Sequence, residues 1–461
     1  MKLDELKTIL KRLYVEYIKI HFKRILLSLA LSLVVAASTS ATAWLLDPAV
    51  KKIFIDQDKT LAWLIPLGII FAFSSKGISL YFARINIIKV GARIAGEFQK
   101  KVSNVILLAD IETLDNRHSG DYISNIQYDC NSIQTLVSTG VLNLMKDTFS
   151  LIGLVWLMFY QNWKLASFAI FMMPLAIFFA KNLGKRMGKI QTESGEITGD
   201  FTSFLSEIFK ASKMIRIYQK ENKEKENADN FINKLVGKNI KMNSVMVRAT
   251  PIMETLTGFM IAGFIFYSGR LISAGELEVN NFFSFLAAMM LAYQPIRSLA
   301  TINMVAYQGA AAAKRVFAVM DNPIKTKNNA NLSDLRIEKC NISFKDISFH
   351  YRNTQEKAVK KINLEIQGGS MTAFVGHSGA GKSTIINLLP RFYEPQDGKI
   401  FIDQQNIHEV SLFSLRKNIS LVSQDVILFD DTIKANIAYA DMAASQNEIV
   451  EACRFAAADE F

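Results

Sequence analysis

Charged residues are scarce in this sequence. Of its 461 residues only 21% are Asp, Glu, Lys or Arg, while 50% are hydrophobic. A soluble chain of this length carries more charge and less apolar bulk, so the composition argues against an ordinary soluble protein. Cysteine is also rare: Cys130, Cys340 and Cys453 are far apart and match no metal-binding spacing. Lone thiols of this kind are typical of a reducing compartment.

The charge that is present has a positive excess, with a formal net charge of +11. Such an excess indicates either a nucleic-acid partner or contact with the anionic cytoplasmic face of a membrane. Seven Lys and Arg precede residue 25, seven lie in 76–131 and fourteen in 181–248, whereas the alternate connections are nearly bare. Because this distribution follows the positive-inside rule, we expect no nucleic-acid partner and place both termini in the cytoplasm.

Six uncharged runs predict helices that cross a membrane. The first, 25–46, has 22 residues and can span a ~30 Å hydrocarbon core by itself. A cleaved secretory signal is the alternative, but the run and its charged leader are too long and further runs follow. Asn162-Trp163-Lys164 predicts a tight outer turn between the third and fourth runs. The five later runs are 60–75, 148–163, 165–180, 255–269 and 279–296.

The long connections 76–131 and 181–248 carry apolar residues at helical spacing with charges between them. They predict membrane helices that continue well into the cytoplasm and then turn back. Extensions of this length need a surface to contact, and a cytoplasmic nucleotide-binding domain is the obvious candidate.

The stretch FVGHSGAGKSTIINLL contains the pattern G-x-x-x-x-G-K-[ST] of a phosphate-binding loop. The apolar MTAFVG before it predicts a buried strand, and STIINLL after it predicts a helix. Glycines let successive backbone N–H groups point at the α- and β-phosphates, and the positive end of the helix dipole adds to this attraction. Lys382 would reach the β- and γ-phosphates and Ser383 would bind Mg²⁺. A glycine-rich turn without a ligand is the alternative.

With these motifs in this order, the chain resembles an exporter half-transporter of the ATP-binding-cassette family: six membrane helices followed by one cassette. The resemblance implies ATP and Mg²⁺ as cofactors, Tyr351 stacked on adenine, and Gln424 at the glutamine loop beside Mg²⁺ and the attacking water. It also implies that short turning helices within 113–129 and 206–221 contact the cassettes. The implied nucleotide-binding residues are Tyr351, Gly376, His377, Ser378, Gly379, Ala380, Gly381, Lys382, Ser383, Thr384 and Gln424, with Ser383 and Gln424 on the metal.

Within this family the chain is most similar to the lipid A-exporting branch, which places basic residues around its lipid cavity at the positions of Lys76, Lys146 and Arg297. Residue counts put all three ~24–27 Å from the outer boundary, at 1.5 Å per residue. Three cations at one level can hold an anionic headgroup. The alternative is that they snorkel to lipid phosphates without a transport role, and Glu254 or Asp147 can neutralise a cation.

The signature sequence Leu-Ser-Gly-Gly-Gln does not occur in the sequence, and no apolar strand ending in Asp-Glu follows Gln424. We expect the remaining cassette strands to lack neighbours and to leave an apolar face exposed. We also expect poor ATP hydrolysis by this chain alone. Two functions stay open: an energised exporter of lipid or hydrophobic compounds, and a non-catalytic membrane relic or partner subunit that binds ATP without hydrolysing it.

The fold expected from the sequence is a multi-pass all-α membrane domain of the six-helix exporter type, followed by a partial α/β nucleotide-binding domain. The expected boundaries are 1–310 for the membrane domain, 311–335 for a linker and 336–461 for the cassette. The family pairs two copies, so a homodimer in the bacterial inner membrane is expected, with a membrane lipid or another hydrophobic compound as substrate.

Overall fold

The structure is a computed structural model that describes residues 3–115, 119–171, 173–322, 332–351, 354, 356–423 and 427–459. The chain divides into two compact units, Met1–Lys325 and Thr326–Phe461. The first unit is helical and the second combines helices with a sheet. The all-α membrane domain followed by an α/β domain, expected from the sequence, is therefore confirmed.

Helices account for the whole of the first unit's regular structure in the described residues. Short π-helical and 3₁₀-helical turns join some of these helices, so that 4–55 and 119–161 are continuous helical segments. The helices are α1 (Leu3–Leu13), α2 (Phe22–Trp44), α3 (Leu46–Pro48), α4 (Leu61–Leu108), α5 (Ile111–Asp115), α6 (Ser119–Ser124), α7 (Cys130–Thr135), α8 (Val141–Gln161), α9 (Trp163–Phe171), α10 (Met173–Ile217), α11 (Glu221–Ser273) and α12 (Val279–Met320).

The apolar runs read from the sequence fall in these helices. Four described segments, 4–55, 61–108, 119–161 and 279–320, are long and apolar enough to cross a bilayer. In α11 the apolar part is shorter, Gly258–Ser273. The predicted crossing 165–180 lies in α9 and α10, but residue 172 and the side chains of 168–180 lie outside the described residues.

Small side chains line one buried face of α2, which packs against α4 and α8. Ser28, Ser32, Ala36 and Ala43 are buried along one face of α2. Such residues let two helix backbones approach closely, which is how helices associate where lipid removes the hydrophobic driving force. The Ser32 hydroxyl donates a hydrogen bond to the Ser28 carbonyl oxygen at 2.7 Å, so this polar group is satisfied within the helix.

The predicted outer turn is confirmed. α8 ends at Gln161, Asn162 has an extended backbone and α9 begins at Trp163. The Asn162 side-chain oxygen accepts hydrogen bonds from the backbone N–H groups of Lys164 and Leu165, at 3.0 and 3.1 Å. Asn162 thus caps α9 and closes the turn without further residues.

The predicted prolonged helices are also confirmed. α4, α10, α11 and α12 contain 48, 45, 53 and 42 residues, or about 60–80 Å each at 1.5 Å per residue. The first long connection contains the short helices α5 and α6, as expected. In 206–221 the expected short turning helix is wrong: α10 runs to Ile217 and only a turn precedes α11. No Gly or Pro interrupts this stretch, so the helix continues to Ile217 and ends at a turn in which Gln219 has a φ of +50°.

Proline lies inside α4, α11 and α12, at Pro66, Pro251 and Pro295. Proline has no backbone N–H, so the carbonyl four residues earlier loses its helical donor. Each helix nevertheless continues on both sides of its proline.

The expected linker 311–335 begins too early. Residues 311–320 are the last turns of α12, and Ala312, Ala313 and Val316 there are fully buried. They pack in a core with Tyr17 and Phe98, whose rings stack with centroids 4.2 Å apart. Small and apolar side chains at helical spacing therefore keep this stretch in the helix, although the polar stretch after it suggested a linker. Residues 323–331 lie outside the described residues.

The second unit has a four-stranded sheet with helices packed against it. The strands are antiparallel in the order β2-β1-β3-β4. Phe344, Ile347 and Ile400 of the sheet share a core with Leu388 and Leu415 of the helices. The elements are β1 (Ile342–Phe349), β2 (Val359–Ile366), α13 (Lys382–Leu388), β3 (Asp397–Ile402), β4 (Gln405–Asn406), α14 (Leu412–Lys417), α15 (Ile433–Ile437) and α16 (Gln446–Phe455).

The buried strand predicted at MTAFVG is wrong. Residues 371–376 form no strand, and Met371 and Val375 are 100% and 92% exposed. A strand needs a partner for its backbone groups, and the described strands pair only with one another. Leu421 and Val422 are exposed as well; apolar side chains are thus exposed in this unit, but they lie on irregular segments and not on the strands that we expected to lack neighbours. The helix predicted at STIINLL is present as α13.

The Asp403 carboxylate organises the start of the second unit. It accepts hydrogen bonds from four consecutive backbone N–H groups, those of Glu338, Lys339, Cys340 and Asn341, at 2.8–2.9 Å. These bonds lower the pKa of Asp403 to about 2, because they stabilise the charged form of the carboxylate.

Candidate functional site

The phosphate loop connects an irregular segment to α13. Gly379 and Gly381 have φ of +82° and +88°, a conformation that side chains with a Cβ rarely adopt. A Cβ on Gly381 would lie 2.7 Å from the Ala358 carbonyl oxygen. Glycine is therefore required at Gly381 both by its backbone conformation and by its neighbour. His377, Ser378 and Ala380 are exposed along the loop, which leaves it open to a ligand.

Lys382 folds back over this loop. Its ammonium group donates to the carbonyl oxygens of Gly376 and His377, at 2.9 and 2.7 Å. The cation therefore lies over the curve of the backbone, where the loop motif places a phosphate. Both bonds go to neutral acceptors on exposed residues, so a charged phosphate can replace them with stronger ones.

Tyr351 reaches the same region from beyond the end of β1. Its hydroxyl is 3.0 Å from the Thr384 hydroxyl of α13. Phe349 and Tyr393 contact its ring edge to face, with centroids 5.0 and 5.3 Å away. The structure thus brings Tyr351 to the phosphate loop, while adenine stacking stays a prediction.

The metal-binding residues are only partly described. Ser383 is exposed at the start of α13, next to Lys382, and Gln424 lies outside the described residues. Among described residues no group of three or more His, Cys, Asp or Glu forms a metal site. Proteins usually bind Mg²⁺ with one or two side chains together with the phosphates of a nucleotide, and Ser383 as a metal ligand stays a prediction.

The three basic residues expected at the lipid level are half-buried, Lys76 in α4, Lys146 in α8 and Arg297 in α12. Lys76 and Lys146 lie close enough for their charges to interact, and α12 packs against α8. Lys146 forms an ion pair with Asp147, so the expectation that Asp147 can neutralise a cation is confirmed. Glu254, the other acidic candidate, is exposed in α11.

Comparison with known proteins decides the family. The family model described as the ABC transporter transmembrane region matches residues 25–296, and the model described as ABC transporter matches residues 359–460. The chain belongs to the ABC transporter family. It has the exporter half-transporter organisation, with the membrane region and the ABC region in one chain. The resemblance read from the sequence is thereby confirmed.

Curated members of the ABC transporter family match nearly the whole chain. An "ATP-dependent lipid A-core flippase" of Syntrophus aciditrophicus is 36% identical over 96% of this chain and 73% of its own length. A protein of the same description from Desulfotalea psychrophila is 35% identical over 99% of this chain and 79% of its own. A solved "bacterial Atm1-family ABC exporter with ATP bound" superposes with a TM-score of 0.83 at 22% identity, over 95% of this chain and 77% of that one. That structural likeness shows the fold.

Two contacts of the site were not predicted from the sequence. The Tyr351–Thr384 hydrogen bond joins residues 33 positions apart, and no sequence signal pairs them. The Lys382 bonds to Gly376 and His377 use backbone carbonyls, which the side-chain pattern does not specify. The Lys146–Asp147 pair, in contrast, is visible in the sequence as opposite charges next to each other.

Proposed function

We propose that this chain is one half of an ATP-driven exporter that moves lipid or hydrophobic compounds across the bacterial inner membrane. Two copies form the transporter, with all termini in the cytoplasm. The observation that carries this proposal is the likeness to lipid A-core flippases over 96% and 99% of the chain. The basic residues at one level of the membrane domain favour a lipid with an anionic headgroup.

In this proposal Mg-ATP supplies the energy, and the residues of the loop bind and orient it. The N–H groups around Gly379 and Gly381 face the phosphates, and Lys382 exchanges the carbonyls of Gly376 and His377 for phosphate oxygens. The exposed hydroxyl of Ser383 binds the metal, with Gln424 as a further ligand. Tyr351, held by Thr384 at its hydroxyl, offers ring surface to adenine.

The membrane domain, which we assign to residues 1–320, binds the lipid. Lys76 and Lys146 contact the headgroup from two helices, and Arg297 contributes from a third. The cassette, assigned to residues 336–461, responds to nucleotide. Alternating nucleotide states then bias the helices toward the inner or the outer side of the membrane.

The test is flipping of a fluorescent bisphosphorylated glycolipid in inverted membrane vesicles from cells that produce the protein. We expect flipping to be slow, in keeping with the poor ATP hydrolysis expected from the sequence, to require Mg-ATP and to be lost in Lys382→Ala. Lys76→Ala should weaken lipid binding and leave ATP binding unchanged. ATP binding without any nucleotide-dependent flipping would overturn the proposal in favour of the non-catalytic alternative.

A further inference from the structure

The buried carboxylate of Asp147 lies beside the basic residues at the membrane level. Its side chain is 1% exposed, and its Oδ1 pairs with the ammonium of Lys146, whose side chain is 24% exposed. Oδ2 is also buried, and in the described part of the chain it has no hydrogen-bond partner. An incompletely satisfied carboxylate inside a membrane domain costs free energy, and such groups are usually functional.

The local charges explain what Asp147 does when no lipid is present. Lys76 and Lys146 interact electrostatically, and two like charges side by side disfavour each other. Asp147 offsets one of them, so these three residues together carry a single net positive charge. The pair also fixes the direction of the Lys146 side chain, because its ammonium is held against α8.

Lys146 and Asp147 differ in exposure, and this difference gives them different roles in lipid binding. A headgroup can reach the partly exposed Lys146, whereas Asp147 is enclosed. An anionic group that binds Lys146 therefore competes with Asp147 for the same ammonium, although it does not touch the carboxylate. When the headgroup leaves, Asp147 takes the ammonium back, and the site needs no ion from solution.

We propose that Asp147 is a positioning residue that competes with an anionic lipid headgroup for the ammonium group of Lys146. This competition weakens lipid binding and speeds lipid release. A transporter needs this property, because a site that holds its substrate too tightly does not turn over. The inference rests on the proposed function, since it takes the lipid site at Lys76 and Lys146 as given. It adds a residue that limits affinity for anionic lipids.

The test compares Asp147→Asn with the unaltered chain in equilibrium and dissociation measurements in detergent micelles. The probes are a fluorescent bisphosphorylated glycolipid and a fluorescent phosphatidylcholine with the same acyl chains. Removing one unit charge close to the headgroup should tighten glycolipid binding about ten-fold, mainly through slower dissociation. Phosphatidylcholine, which carries no net charge, should bind as before. Asp147→Glu should restore the original glycolipid affinity.

Asp129→Asn is the matched control. Asp129 is also buried, at 5% exposure, and pairs with Arg315 at 2.6 Å. Its substitution should lower the melting temperature without changing the ratio of the two lipid affinities. If Asp147→Asn melts below the assay temperature, Asp147→Ser provides the same loss of charge in a smaller side chain.

Two results would overturn the inference: unchanged or weaker glycolipid binding in Asp147→Asn, or an equal shift for both lipids. Lys76→Ala and Lys146→Ala separate this failure from that of the proposed lipid site. If both leave glycolipid binding unchanged, the lipid site itself is wrong. If they weaken binding while Asp147→Asn has no effect, only the role of Asp147 fails.

Discussion

Arg12 and Asp321 form a bidentate ion pair between the two ends of the membrane unit. The guanidinium donates two hydrogen bonds to the carboxylate, at 2.6 and 2.7 Å, and lies 4.0 Å from the centre of the Phe317 ring. A residue of α1 is thereby attached to the end of α12, and the N-terminal segment is fixed to the helix that leads toward the second unit.

Asp321→Asn should lower the stability of this attachment. Arg12 holds the pKa of Asp321 below its usual range, so the stabilisation is present at neutral pH and is lost as pH falls through that lowered pKa. Both side chains are partly exposed, so we expect a loss of only about 0.5–1 kcal/mol. Thermal unfolding at pH 7 measures it. The exposed Arg454→Lys serves as control, and an equal effect from both substitutions would contradict the prediction.

Asp403→Asn should destabilise the second unit more clearly. The charged acceptor of four backbone N–H groups is lost, and the neutral amide can accept them only weakly. Because the folded pKa of Asp403 is lowered to about 2, its contribution is present above about pH 4 and disappears as pH falls toward 2. The difference in melting temperature between variant and unaltered chain should shrink over that interval. Asp430→Asn, at an exposed carboxylate of the same unit, should show no such difference at any pH.

Gly381→Ala should abolish Mg-ATP binding without unfolding the chain. The new Cβ would meet the Ala358 carbonyl oxygen at 2.7 Å in a left-handed conformation, so the loop has to move. Titration with a fluorescent ATP analogue measures the loss, which should match that of Lys382→Ala. Gly275→Ala is the control: φ there is +74°, but nothing lies within 4 Å of the new Cβ. ATP affinity equal to that of the unaltered chain in Gly381→Ala would refute the steric requirement.

Gly120→Ala should loosen the contact between α6 and α10. The added Cβ would lie 2.6 Å from the Ser203 hydroxyl and 2.9 Å from the Gly199 carbonyl oxygen. The carbonyl oxygen belongs to the helix backbone and cannot rotate away from the new Cβ. Overpacking of this kind costs about 1–3 kcal/mol, which thermal unfolding should detect. Gly96→Ala in α4 is the opposite case, because nothing lies within 4 Å of its Cβ. That substitution should be neutral or stabilising by up to about 1 kcal/mol, and destabilisation by both would show that packing is not the cause.

Local patterns predicted much of this fold. Uncharged runs located the membrane helices, charges at helical spacing predicted their extensions, and Asn162 marked the outer turn. The strand at MTAFVG was predicted wrongly because a strand depends on a distant partner, which composition does not reveal. The linker was placed too early because the polar stretch after Asp321 hid the buried turns that hold Val316.

In the candidate site, too, features set by local sequence were predictable and features set by packing were not. The loop motif located Lys382 and the glycines, because their spacing is local. The bond from Tyr351 to Thr384 depends on how β1 and α13 pack, and the sequence contains no sign of it. From the sequence, the closeness of Lys76 and Lys146 is predicted only by their common depth in the membrane; in the structure they lie close enough for their charges to interact.

Pro295 lies two residues before Arg297 in α12. Because proline removes one helical hydrogen bond, α12, which ends at Met320, bends most easily at this point. A change of angle there would swing the Arg297 guanidinium relative to Lys146 on the neighbouring helix. In the proposed transporter, a motion that begins in the cytosol could therefore change the distance between these two cations without any change within the helical segments on either side of Pro295.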